Sequence, residues 1–382
     1  MGVVGLLLAQ GCDTAPPVSR AYLPVAIDTE GGRGADGVVV ADVDGDGILD
    51  AVSAWEQSSR VRLHLQRPVG RWNNMTIAEG ADVGGVEDVA VGDLDMDGRM
   101  DVVAASESGR LTWIRQGDTW TSMVIDASVG TGCSSWIDVE IGDMNGDGIP
   151  DIVAACKVGD AVSIFYALDT PTSGASFVRF DVDAVTRRKA SCVLLVDMDG
   201  DGDLDIVSAA REETVASIAW YENPGPALAF TSVWNKHPIG HWPDAFWLDV
   251  GDIDGDGRVD VAVSSWRNAS FAWFRQPADP RGVWQRFTVG EFSNTRGAGI
   301  TITDLEGDGI TDLVVGTYGN GRLAVFRPVG PVTGPWWATT LATPGGRLDL
   351  VPVVDINGNG RLDILTTVDA GDGGVFWYRP WP

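Results

Sequence analysis

Asp252-Ile253-Asp254-Gly255-Asp256-Gly257-Arg258-Val259-Asp260 is one of seven near-copies of a single loop. The pattern Asp-x-(Asp/Asn/Glu)-x-(Asp/Asn)-Gly-x-x-Asp starts at Asp42, Asp93, Asp143, Asp197, Asp252, Asp304 and Asp355, at intervals of 51, 50, 54, 55, 52 and 51 residues. A period of that size marks a solenoid, a propeller or an array. Oxygen-bearing side chains hold positions one, three, five and nine of every copy, and position six is always glycine. Ca2+ takes about 6–8 oxygen ligands, and a glycine lets the backbone turn sharply enough to aim them at one point. Position seven is indifferent to residue type, which suits a ligand that is a backbone carbonyl. Position two is always aliphatic or Met, pinning the loop to the core.

The expected ligands are Asp42, Asp44, Asp46, Ile48 and Asp50 in copy one, and Asp93, Asp95, Asp97, Arg99 and Asp101 in copy two. Copy three offers Asp143, Asn145, Asp147, Ile149 and Asp151, and copy four Asp197, Asp199, Asp201, Asp203 and Asp205. Copy five offers Asp252, Asp254, Asp256, Arg258 and Asp260, copy six Asp304, Glu306, Asp308, Ile310 and Asp312, and copy seven Asp355, Asn357, Asn359, Arg361 and Asp363. Up to seven structural Ca2+ ions follow. The motif holds 26 of the 54 acidic residues, leaving 28 against 27 Lys and Arg, so the formal charge of −27 resides in the loops. Carboxylates converging without a cation would repel by several kcal/mol at an effective dielectric of ~20. An EF-hand or dockerin loop would place an acid at position twelve; here stand Ser53, Ala104, Ala154, Ser208, Val263, Val315 and Thr366.

Outward from each loop the flanks are equally regular. A short β-type run precedes it, from Val38–Ala41 to Val351–Val354, and another follows it, as in Val102–Ala105. Then come an aromatic-rich strand, such as Ile218–Tyr221 or Phe271–Phe274, and a fourth element with an aromatic five residues before an aliphatic, as in Trp72/Ile77. Apolar run, tight glycine loop and apolar run make a hairpin. Four short antiparallel strands, seven times, apolar on both faces, predict an all-β, seven-bladed β-propeller over residues 21–382. The chain opens on a fourth-type element, Tyr22–Ile27, and ends on a third-type strand. If the strand before each loop is innermost, residues 22–27 must complete blade seven and close the ring.

Seven in-phase copies of this loop, with Ile218-Ala-Trp-Tyr-Glu-Asn223 among the flanking stretches, resemble the FG-GAP or VCBS repeat family, the calcium-loop propellers akin to the integrin α-subunit head. The resemblance implies Ca2+ in the loop joining the two inner strands. Copies six and seven depart from the pattern through Glu306 and through Asn357 and Asn359, so weaker sites are expected there.

Gly2–Ala9 is an apolar run of eight residues, far short of the ~20 that span a bilayer. It reads as an export signal, and Gly11-Cys12 resembles a lipobox, making Cys12 a lipidation candidate and residues 1–20 a signal with a short linker. A lipid anchor would be the only membrane attachment. Two of Cys133, Cys156 and Cys192 can pair in an exported chain; small buried hydrophobes are the equal alternative. The acidic balance excludes nucleic-acid binding by a basic face. On the rim opposite the loops, His241, Trp242, Asp244, Trp266 and Arg267, with His237 and Trp247 nearby, form the densest constellation, and tryptophan faces beside acidic and Arg donors suit a sugar or peptide. Core packing is the competing role for each tryptophan. The expected protein is a monomeric, exported, surface-anchored or secreted binding module for a glycan or protein. The alternatives are a propeller enzyme of polysaccharide-lyase or dehydratase type and a purely structural protein.

Overall fold

The aspartate that closes each loop explains why the loop joins two strands and reaches a third. Asp50 is buried, and its carboxylate accepts the N–H of Val43 inside the loop at 3.1 Å and that of Gln66, at the end of the third strand, at 2.8 Å. The same two bonds recur at Asp151, from Met144 and Ala167, at Asp205, from Met198 and Asn223, and at Asp260, from Ile253 and Gln276. In the computed structural model, which describes residues 21–127, 132–184, 188–230, 233–369 and 373–380, these units form seven antiparallel sheets in a ring. Blade one runs Ala35–Ala41, Asp50–Trp55, Arg60–Gln66 and Trp72–Glu79, and the others repeat that order. The expected signal and Cys12 lie outside the described residues.

The strand before each loop is innermost, as the phase of the repeat predicts. Inner strands of neighbouring blades are bridged by carboxylates: Asp138 accepts the Val193 N–H at 2.6 Å, and Asp249 accepts that of Ile302 at 2.6 Å. Second strands such as Asp50–Trp55 and Asp101–Ser106 are buried along their whole length, while outer strands such as Gln285–Glu291 are largely exposed. Trp55, Trp113, Trp136, Trp220 and Trp273 are fully buried. Close approach between blades demands glycine at Gly240, where an added Cβ would lie 2.4 Å from the Phe274 ring.

Ring closure follows the expected route. Tyr22–Asp28 pairs antiparallel with Gly374–Pro380, Tyr22 opposite Pro380, and completes blade seven. The closing strand is also fastened to blade one: Asp28 pairs with Arg62 at 2.6 Å, and Asn74 Nδ2 donates to the Ile27 carbonyl at 2.8 Å. Blade seven departs from the expected pattern at its inner strand, which shrinks from Val351–Val354 to Val353–Val354. Pro352 has no N–H to give the ladder, though its carbonyl still accepts from Leu365 at 2.9 Å. Ahead of it, Gly346–Arg347 adds a fifth strand to blade six. Cys133 and Cys156 form a disulfide, and Cys192 is a buried free thiol, which settles a pairing the sequence left open.

Candidate metal centres and the opposite rim

Each acidic loop is held in shape by its own side chains. In all seven copies the two carboxylate oxygens of position one accept the N–H groups of positions five and six, at 2.6–3.2 Å. Position five accepts the N–H of position seven, as Asp46 does from Ile48 at 2.9 Å. The glycines at position six have φ between +80° and +96°, a region open to them at little cost. Position four is left-handed as well, and is glycine in every copy except the second, where Met96 has φ +55°.

This scaffold converges carboxylates. In copies one, two, four and five, one oxygen from each of positions one, three and nine lies within 4.8 Å of the others: Asp42, Asp44 and Asp50; Asp93, Asp95 and Asp101; Asp197, Asp199 and Asp205; Asp252, Asp254 and Asp260. The buried atoms Asp95 Oδ1, Asp101 Oδ2 and Asp254 Oδ1 have no hydrogen-bond partner. Burial, reinforced by the neighbouring loop carboxylates, pushes Asp205 and Asp260 up to about 7. An all-oxygen, acidic donor set with orphaned lone pairs fits a hard divalent cation. Copy seven differs: the Asn357 amide donates to Asp363 at 2.8 Å, so an internal hydrogen bond occupies an oxygen that a cation would use.

The motif did not reveal the arginines beside the loops. Arg67, Arg115, Arg275 and Arg327 leave the ends of third strands and pair with Asp44, Asp95, Asp254 and Asp308, the third of these at 2.6 Å. Arg281 reaches from blade five to Asp199 in the loop of blade four, at 2.5 Å. The common position of the first four, 14–17 residues after the last loop aspartate, was the available signal.

On the opposite rim, the residues expected to meet a ligand divide. Trp242 is 8 % exposed and belongs to the core, its Nε1 donating to the Ser270 carbonyl at 3.2 Å. His241 is half-buried beside it. Asp244 pairs with the exposed Arg267 at 3.0 Å. Trp266 is half-buried in an alternation of guanidinium and ring: Arg211 lies 4.6 Å and Arg296 5.2 Å from its ring centre, Tyr318 packs at 4.5 Å, and Arg347 covers Tyr318 at 4.1 Å. An open cavity of about 670 Å³ is lined by Arg267, Phe292, Asn294, Arg296 and Tyr318 among others, and Trp266 supports it from behind through Arg296 and Tyr318. His237 is not on this rim. It lies near the start of the outer strand of blade four, stacked on Trp220 and 2.7 Å from Glu222, which Arg281 ties to the acidic loop.

Two further clusters lie inside the ring, the second with Glu140 only half-buried. Ser53 Oγ lies 2.7 Å from His64 Nε2, with Asn74 and Asp28 on the other ring nitrogen, but neither Ser53 nor His64 has exposed surface, and burial lowers His64 to about 4. The group joins the closing strand to blade one rather than facing a substrate. In the channel, burial pushes Glu140 up to about 8 and Asp138 up to about 7, with Asp88 beside them raised for the same reason.

No curated protein matches the sequence. Among solved structures, the fold resembles the WD40 β-propeller domain of Doa1, at 13% identity and a TM-score of 0.57, over 94% of this chain and 97% of that one. The family model for the FG-GAP-like repeat matches residues 42–104, 93–154, 197–263, 252–315 and 304–366, more than half of the chain. The loops at the heart of those matches are the acidic loops described above, and the chain belongs to the FG-GAP-like repeat family.

Proposed function

We propose that the protein is a Ca2+-stabilised propeller that works as a binding module for a glycan or a protein outside the cell, released or held at the surface through Cys12. The loop carboxylates, with the position-seven carbonyls, would hold the ions. Each ion would supply two positive charges to a loop that carries two to five acids, and seven would bring the formal charge from −27 to −13. The disulfide between Cys133 and Cys156 fits an oxidising compartment.

The observation that carries the binding role is the open cavity beside Trp266, where Arg267, Arg296 and Tyr318 offer charged donors and a ring face at a surface free of the repeat's own constraints. Aromatic faces with a few placed polar groups are what small-ligand and sugar sites use. The test is a glycan-array screen of the Ca2+-loaded protein with and without EDTA, followed by Trp266→Ala on any hit. Binding that needs Ca2+ and weakens in the variant supports the reading. A hit that ignores the variant places the ligand elsewhere, and a blank array removes the glycan.

A further inference from the structure

The channel mouth on the rim away from the repeat loops holds acids that belong to no acidic loop. Glu56 starts the turn after the second strand of blade one, Glu107 lies in the matching turn of blade two, and Glu87 sits in the inner strand Val86–Gly92. One carboxylate oxygen from each lies within 4.8 Å of the other two. Asp36, on the inner strand of blade one, is only 2 % exposed, and neither of its carboxylate oxygens accepts a hydrogen bond. Asp36 has one basic neighbour, Arg347, whose Nη2 pairs with it at 3.7 Å, beyond hydrogen-bond length, while the other groups that face it, Asp349, Glu87 and Glu56, are acidic. The two bases at hand are already engaged, Lys157 with Glu107 and Arg347 with Asp369 at 2.7 Å.

A buried carboxylate with no donor is costly, and crowding it with further carboxylates adds to the cost. The repeat does not demand acids at these places, since the equivalent turns of blades three, four and five carry Lys157, Arg211 and Trp266. We propose that the mouth is a cation site separate from the seven loops, in which Glu56, Glu87 and Glu107 ligate one hard divalent ion and Asp36 contributes charge from behind. The donors are all oxygen, as such ions require, and they come from two blades. A bound ion therefore fastens blade one to blade two on the rim opposite the repeat loops.

The test is a crystal of the whole propeller grown with MnCl2 and measured for the manganese anomalous signal, beside the same crystal of Glu87→Gln. The expected result is a peak in bonding distance of Glu56, Glu87 and Glu107, in addition to those at the loops. Glu87→Gln should lose that peak alone, and its retained loop peaks also show that it folds. In solution, Mn2+ counted by electron paramagnetic resonance should fall by one ion per chain in the variant. Loops filled with the mouth empty would overturn the proposal, leaving shared protons to hold the cluster. A filled mouth with empty loops would sustain it while refuting the loop sites.

Discussion

Met96 is the one position-four residue that is not glycine, yet it adopts the same left-handed turn as the other six, at φ +55°. A side chain there costs about 1–2 kcal/mol, partly offset by the lower unfolded-state entropy relative to glycine, about 0.4–1 kcal/mol. Met96 is 55 % exposed and gives up little packing. Met96→Gly should therefore stabilise the protein by about 0.5–1 kcal/mol in urea titration; no gain would mean that the turn relaxes around methionine. Glu140 carries a pH signature. Its folded value of about 8 stands above the ordinary 4.5, so the folded chain holds a proton that the unfolded chain releases. The stability linked to it is present below about pH 4.5 and is lost as pH rises through about 8. Glu140→Gln should match the parent in melting temperature near pH 5 and exceed it near pH 9, by an amount on the order of a few kcal/mol. Equal melting at both pH values would place the Glu140 carboxyl in contact with solvent. The glycines of position four were open to reading, since six of seven copies carry them. Neither the channel setting of Glu140 nor the seclusion of Ser53 and His64 was, because both are properties of the ring and not of any local run.

Between blades, the demand is for close approach. Gly240, at the end of an outer strand, lies against Phe274 of the next blade. Gly240→Ala forces that ring or strand aside and should cost about 1–3 kcal/mol, read as an earlier thermal transition; an unchanged one would show that the outer strands float. Trp242 and Trp266 separate packing from recognition. Trp242→Ala removes a buried indole and should cost about 3–5 kcal/mol, whereas Trp266→Ala, at a half-buried rim position, should cost clearly less and act on ligand binding. Comparable losses would make both of them core residues. The strands were legible because each loop fixes the start of one strand and the end of another. Side assignment was harder: His237 and His241 are four residues apart, yet one lies near the loop end of its strand and the other past the far end. The arginine partners escaped because four come from third-strand ends, joined to the loops only through the sheet, and Arg281 comes from a connection in the next blade.

The ring as a whole rests on two closures, one of chain and one of charge. The phase of the repeat foretold the first: Tyr22–Asp28 completes blade seven, and Asp28 locks it to Arg62 of blade one. Deleting residues 21–28 should lower the melting temperature far more than deleting residues 13–19, and equal effects would make the closing strand dispensable. The second closure is the one proposed above, neutralisation of the loops by Ca2+. Four of them bring three carboxylates within 4.8 Å of one another on a backbone already set by its own hydrogen bonds, so little reorganisation opposes an ion. An ion bound only by the folded loops stabilises by mass action, about 2.7 kcal/mol per site at a hundredfold excess over its dissociation constant. The decisive experiment is a thermal melt of the purified protein with Ca2+ and after EDTA, paired with an ion count on the Ca2+-loaded sample. The expected outcome is a large drop in melting temperature after EDTA, with about five to seven ions per chain and copy seven the vacancy if one is missing. Melts within about a degree of each other, or about two ions or fewer, would show that the arginines and bound protons, not Ca2+, hold the loops.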